Sequence, residues 1–339
     1  MNGSSPTYAS HETGRFADID PVGHNRDDGR PFPSAHALPF SSPLSAALRS
    51  HLLVLIAALL WGTIGVAGKA LYGMGQVNPL TLGLFRLAVA APLLGLLTWW
   101  FDRGQPWRFA RADAVWWMLA MTSMGAYQLF LFAAVRRTEV TVAIFLAICT
   151  APILVALAAP LLLGDRLTHT TLVAAGLALV GTALVLGITR PEAAWRSDRL
   201  VGNGLALGAA ACWATYIIVA RHLVRRFSPT RITFVTFAGA ALMVTVLVAI
   251  RRETVVLPPA GWLLALYLGV FPTALAYFLY VCGLRHVQAT TSAFLALAEP
   301  GTAALLAALL FAERLSATGW TGIGLLLLGL LLLIRDART

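Results

Sequence analysis

Beyond His51 the chain carries ten apolar runs of about twenty residues each, the length an α-helix needs to cross the roughly 30 Å hydrocarbon core of a bilayer. They lie at roughly 52–72, 79–100, 115–135, 140–163, 168–188, 202–222, 230–250, 260–282, 287–311 and 317–335, with mostly short connections between them. Composition leaves little alternative. Of 339 residues, 58% are hydrophobic and 12% charged, against about 25% charged in a soluble domain. So few charges cannot cover a water-facing surface of this size. The expected fold class is an all-α integral membrane protein of ten transmembrane helices. Residues 1–50 differ from the rest, with six of the seventeen prolines, both signs of charge and no apolar run. They read as a disordered tail. Lacking an apolar segment, this tail is not a signal peptide, so the first span must direct its own insertion.

The net charge is +10, and all but one of the 25 basic residues are arginine. The arginines stand singly or in pairs between apolar runs, where lipid headgroups are their neighbours, so no nucleic-acid partner is expected. With the amino terminus in the cytoplasm, twelve Lys and Arg residues near span ends fall inside and nine outside. That bias favours cytoplasmic termini, though weakly, and the expected location is the plasma membrane.

The halves of the chain resemble each other. Residues 143–167 read AIFLAICTAPILVALAAPLLLGDRL and residues 291–315 read TSAFLALAEPGTAALLAALLFAERL. At an offset of 148, Pro152 meets Pro300, Asp165 meets Glu313, Arg166 meets Arg314, and Gly176 and Gly181 meet Gly324 and Gly329. Trp61 matches Trp213 and Lys69 matches Arg221 at 152, and Pro79 matches Pro229 at 150. Two repeats of five spans follow, at 51–190 and 200–335. An odd number of spans makes the second repeat enter the membrane with opposite polarity, the inverted architecture of many secondary transporters. Inversion also explains the weak charge bias, since equivalent loops lie on opposite sides.

Two five-span halves, WGTIGVAGK in the first span, LFR in the second, and the GDRL and AERL endings of spans four and nine resemble the EamA-type transporters of the drug/metabolite transporter superfamily. The resemblance covers about 52–335. It implies ten helices, cytoplasmic termini, and export or exchange of small metabolites, often amino acids, without ATP hydrolysis. Asp165 stands where such proteins more often carry Glu.

GTIGVAGKA at 62–70 is not a phosphate loop, because that pattern needs Gly at 63 and a hydroxyl at 70, where this chain has Thr63 and Ala70. Two charges lie well inside spans, Arg86 and Glu299. At 1.5 Å per residue Glu299 is about 18 Å deep and Arg86 about 10 Å from its helix end. An intramembrane charge needs a partner or water. Glu299 is either a proton or substrate-amine site, or the partner of Arg86 in a pair that locks one conformation. Pro152 and Pro300 leave the carbonyls of Ile148 and Ala296 without their usual donors, which points to matching hinges facing the substrate path, with static kinks as the alternative. Trp61, Tyr127, Gln128, Trp213 and Tyr216, with Thr273, Tyr277 and Tyr280 at i, i+4, i+7 and Ser292 on the face of Glu299, are the expected lining of a central cavity. For any one aromatic, packing or an interfacial belt is the competing role.

Cys149, Cys212 and Cys282 lie in apolar stretches, and His169, His222 and His286 lack metal-ligand spacing, so no metal and no cofactor are expected. An embedded enzyme would need clustered acids or a nucleophile with its base, and neither is apparent. The expected function is a secondary transporter that exports or exchanges small metabolites, amino acids or related neutral amphipathic compounds first, by alternating access, with a lipid or lipid-linked-sugar flippase as the alternative. The expected partners are a small-molecule substrate and the bilayer, with the oligomeric state, monomer included, left open.

Overall fold

A computed structural model describes residues 43–73, 79–104, 106, 110–187, 199–252, 259, 261–311 and 315–336. Most of the tail expected at 1–50, together with Glu313 and Arg314, lies outside the described residues. Among the described residues ten apolar helical spans follow one another: α1 (Pro43–Gly73), α2 (Pro79–Phe101), α3 (Ala114–Val135), α4 (Val140–Leu163), α5 (His169–Val185), α6 (Leu200–Leu223), α7 (Pro229–Arg251), a broken span of α8 (Gly261–Gly269) and α9 (Ala276–Gly283), a second broken span of α10 (Ala289–Leu295) and α11 (Ala298–Phe311), and α12 (Ala317–Asp336). Among the described residues, nine spans are long and apolar enough to cross a bilayer. The tenth, α5, has 17 residues, about 26 Å of helix. It ends short of the expected 188, where Leu186 closes the helix and Gly187 turns out of it at φ 70°.

At the other extreme α1 has 31 residues and starts at Pro43, well before the apolar run. Proline suits a first helical position because its missing N–H would have no partner there. The side chains of Ser50 and His51 are satisfied within this helix, on the carbonyls of Ala46 and Ala47 at 3.0 and 2.8 Å.

The neighbours reproduce the repeat. α3 packs on α6 as α9 packs on α1, and α4 packs on α6 as α10 and α11 pack on α1. α3 meets α7 as α8 meets α2, while α2 pairs with α7 and α5 with α12. Exchanging each span with its counterpart five later maps this set onto itself. The correspondence reaches atoms at the α5–α12 seam. A Cβ on Gly181 would lie 2.6 Å from the Leu326 nitrogen and 2.7 Å from the Gly322 oxygen, and one on Gly329 would lie 3.0 Å from the Ala178 nitrogen and 2.7 Å from the Ala174 oxygen. Those partners, 322 with 174 and 326 with 178, are again 148 apart. Without a hydrophobic drive between helices in lipid, such small-residue contacts let backbones approach closely enough for dispersion to hold them.

Two breaks depart from the sequence reading. α4 runs unbroken through Pro152, whereas the equivalent span is interrupted before Pro300. There the Leu297 N–H bonds the Phe294 carbonyl at 3.1 Å and the Glu299 N–H bonds the Ala296 carbonyl at 3.0 Å. The tighter turn therefore supplies the donor that Pro300 lacks, so the Ala296 carbonyl is not orphaned and the matched hinges are not alike. Thr141 and Phe145 align with Thr290 and Phe294 at 149, but the prolines align at 148. The second half thus reaches its proline with one residue fewer. A 3₁₀-like turn, rising about 2.0 Å per residue against 1.5 Å, recovers part of that length. The other break is a π-helical turn at Val270–Leu275 between α8 and α9. Pro272 cannot donate to the Leu268 carbonyl, and the Thr273 hydroxyl does so instead at 2.7 Å.

Candidate functional site

A cavity of about 580 Å³ lies between the halves, within the roughly 300–1,000 Å³ usual for small-molecule sites. Its floor is aromatic. Trp61 of α1 meets its repeat counterpart Trp213 of α6 edge to face, with centroids 5.4 Å apart and planes at 82°. Tyr277 lies 4.9 Å from Trp61 and 5.8 Å from Trp213, and Tyr127 lies 5.7 Å from Trp213. The indole N–H of Trp61 is buried and has no hydrogen-bond partner among the described residues. It is an unsatisfied buried donor within a largely apolar wall.

Of the residues expected to line a cavity, Trp61, Tyr127, Gln128, Trp213, Tyr277, Arg86, Glu299, Pro152 and Pro300 do so. Tyr216, Thr273, Tyr280 and Ser292 do not; they form a layer behind it. Tyr216 stacks on Trp213 at 5.4 Å, and Tyr280 lies 5.2 Å from Trp61 and bonds Ser292 at 3.1 Å. Regular helical spacing put Thr273 on the face of Tyr277, but the π-turn inserts extra residues per turn and carries Thr273 toward α2.

The Arg86–Glu299 pair, one of the two roles open for Glu299, is not formed directly. The Arg86 Nε donates to the Thr273 hydroxyl at 3.0 Å. Among the described residues no ion pair within 4.0 Å joins Arg86 to Glu299, although both face the same cavity. Thr273 thus accepts from Arg86 and donates to Leu268, fixing the guanidinium with a defect of the neighbouring helix. Thr273→Val would leave both partners buried and unsatisfied, a cost of about 1–3 kcal/mol for each group. The expected result is a lowered unfolding temperature in detergent, and an unchanged one would refute this reading. Glu299 stands in the first turn of α11, where the break has made a new helix N-terminus and the helix dipole favours a carboxylate.

Other lining residues lie beyond the expected set. Gly62, Gly65 and Gly68 recur at helical spacing on the cavity side of α1, next to Trp61. A Cβ on Gly65 would meet nothing within 4 Å. That glycine stripe beside a repeat-matched tryptophan was the available signal. Lys69, counted only as a charge near a span end, is also in the wall, its Nζ 4.5 Å from the Phe311 ring centre.

Lys69, Leu82, Val135, Val140 and Leu186 place the cavity's wide end at the face where α1 finishes. The face where α1 begins is tied across the halves. Asp102, just past α2, accepts from the Ser228 hydroxyl, the Thr230 hydroxyl at 3.2 Å and the Arg231 Nε at 2.8 Å. Arg226 pairs with Asp113 at 2.5 Å, and Arg225 donates to the Leu163 carbonyl at 3.3 Å. Asp165 accepts from the Thr290 N–H at 3.0 Å and its hydroxyl at 3.2 Å, capping the start of α10. The structure is therefore closed at one face, with its cavity directed to the other.

The model of the EamA-like transporter family matches residues 48–187 and 200–335. The chain belongs to that family. Among EamA-like relatives it is 34% identical over 290 residues to the uncharacterized transporter YwfM of Bacillus subtilis, covering 85% of this chain and 94% of that one. It is 26% identical to the aromatic amino acid exporter YddG of Ancylobacter novellus, over 74% of this chain and 84% of that protein. A probable terminal-alkyne amino-acid exporter of Streptantibioticus cattleyicolor is also 26% identical, over 63% and 67% of the two chains. A solved crystal structure superposes with a TM-score of 0.72 at 21% identity, covering 86% of this chain and 99% of that one, and shares the fold. This EamA-like chain is a multi-pass membrane transporter.

Proposed function

We propose that this transporter exports or exchanges small zwitterionic metabolites, amino acids with apolar or aromatic side chains in the first place, by alternating access. The observation that carries the reading is one cavity holding an acid, a guanidinium and an aromatic floor. Glu299 can receive an ammonium or a proton, while Arg86 can receive a carboxylate. Trp213, Tyr127 and Tyr277 offer ring faces to an apolar side chain. Two amino-acid exporters among the relatives support the same class. In this reading both termini are cytoplasmic and the cavity of the present state faces outward, with the ties around Asp102, Asp113 and Asp165 closing the cytoplasmic side.

Counterflow in proteoliposomes loaded with single amino acids, with and without a pH gradient, tests it. Saturable exchange of at least one neutral amino acid is expected. Absence of flux for every neutral amino acid, with lipid scrambling in the same vesicles, would replace it with the flippase. Glu299→Gln separates the roles of the acid. If Glu299 carries the coupled proton, the variant loses stimulation by a pH gradient yet keeps exchange at zero gradient. Full gradient-driven transport by the variant would exclude proton coupling through Glu299.

A further inference from the structure

A second cavity, of about 440 Å³, opens between α2, α3, α6 and α7 at the same face as the wide end of the first. Its inner wall is apolar, from Leu80, Leu129, Phe130, Leu205 and Leu247, and its rim carries Arg136, Arg137 and Arg251. In a bilayer an apolar groove between helices is filled by an acyl chain, and arginines at span ends sit at the depth of phospholipid phosphates. The rim is rigid. The Arg137 N–H bonds the Ala134 carbonyl at 2.8 Å, and α6 presses against the turn, since a Cβ on Gly202 would lie 2.8 Å from the Arg137 carbonyl carbon. We propose that this groove binds one anionic phospholipid, its phosphate on the arginine fork and one chain along Leu129 and Leu247. The groove draws helices from both halves, and Phe132 lines both cavities, so the lipid would brace the wall of the transport path in this state. Native mass spectrometry of the full chain, with phosphatidylglycerol or phosphatidylcholine added, tests the site. One phosphatidylglycerol per chain should survive activation that strips phosphatidylcholine, and Arg137→Gln/Arg251→Gln should lose it while Arg335→Gln keeps it. Inorganic phosphate should not compete. Equal retention of the two lipids, unchanged retention in the double variant, or displacement by phosphate would each overturn the proposal. Unfolding temperatures in phosphatidylcholine, matched between variants, exclude misfolding as the cause.

A separate observation concerns Lys69. Its repeat counterpart Arg221 clamps the end of α9 at the closed face, its Nη1 donating to the carbonyls of Leu284 at 2.5 Å and Arg285 at 2.9 Å. Residues 285–294, RHVQATTSAF, align with 136–145, RRTEVTVAIF, at an offset of 149. The counterparts of the two clamped carbonyls are therefore those of Val135 and Arg136, and Val135 shares the cavity wall with Lys69. We infer that Lys69 is the matching clamp, which takes the α3 carbonyls when the wide end closes and Arg221 lets go. This rests on the alternating-access reading. A cysteine placed at Gly65, with Cys149, Cys212 and Cys282 replaced by alanine, reports the wide end through its rate of labelling by an impermeant thiol reagent. Lys69→Met should raise that rate severalfold, Arg221→Met should lower it, and Lys69→Arg should restore it. Effects of the same sign in the two methionine variants, or none for Lys69→Met, would overturn the clamp. If labelling is insensitive to both variants while counterflow persists, the clamp fails and transport stands.

Discussion

Gly65→Phe should abolish substrate flux while leaving the fold intact. Gly65 is exposed in the middle of α1, and a Cβ there meets nothing within 4 Å because the space in front of it is the cavity. An aromatic side chain would occupy room meant for substrate without displacing protein. Replacing a helical glycine also removes a conformational penalty of about 0.5–1 kcal/mol, so the unfolding temperature should hold or rise slightly. Gly62, one turn earlier, makes the contrast. A Cβ on it would lie 2.5 Å from the Thr302 Cβ and 2.9 Å from the Glu299 carbonyl, so Gly62→Phe should fail by unfolding. Counterflow and thermal unfolding on the same preparations separate the two. Normal flux in Gly65→Phe would mean that substrate does not pass through this cavity.

Gly329→Leu should destabilise the protein by about 3 kcal/mol or more, as overpacking against atoms that cannot move does. The obstacles are the backbone atoms of Ala174 and Ala178, so no side-chain rotamer relieves the clash. Gly181→Leu meets the equivalent atoms of α12 and should cost about as much. The repeat supplies its own controls. Gly176 and Gly324 are counterparts in the same two helices, and a Cβ on either meets nothing within 4 Å, so leucine there should be nearly neutral. Unfolding temperatures of the four variants in one detergent check this. Equal losses at all four would show that glycine itself, not the seam, matters.

The ten runs and the five-plus-five repeat were legible because lipid imposes a length and a polarity that twenty consecutive residues must obey. Trp61, Trp213 and Glu299 were legible because large or charged side chains in such runs need a reason. What escaped was local geometry that two prolines handle differently. One helix absorbs its proline while the other tightens ahead of it, and the signal in the letters is only a one-residue change of offset, from 149 at Phe145 and Phe294 to 148 at Pro152 and Pro300. Charge alone offered Glu299 as one possible partner for Arg86, whereas Arg86 takes a hydroxyl positioned by the defect at Pro272. Helical spacing failed for Thr273 for the same reason. Lys69 was hidden by its position near a span end, where the positive-inside rule gives every cation a sufficient role.

The seam of α5 and α12 has one more consequence. Its contacts exchange with one another when the halves are swapped, Gly181 on Gly322 becoming Gly329 on Ala174. A joint of this kind has no inward and outward version. If the halves trade conformations to move cargo, this joint can stay as it is, a bearing on which the rest turns, and the work of switching falls on the polar ties at the two faces.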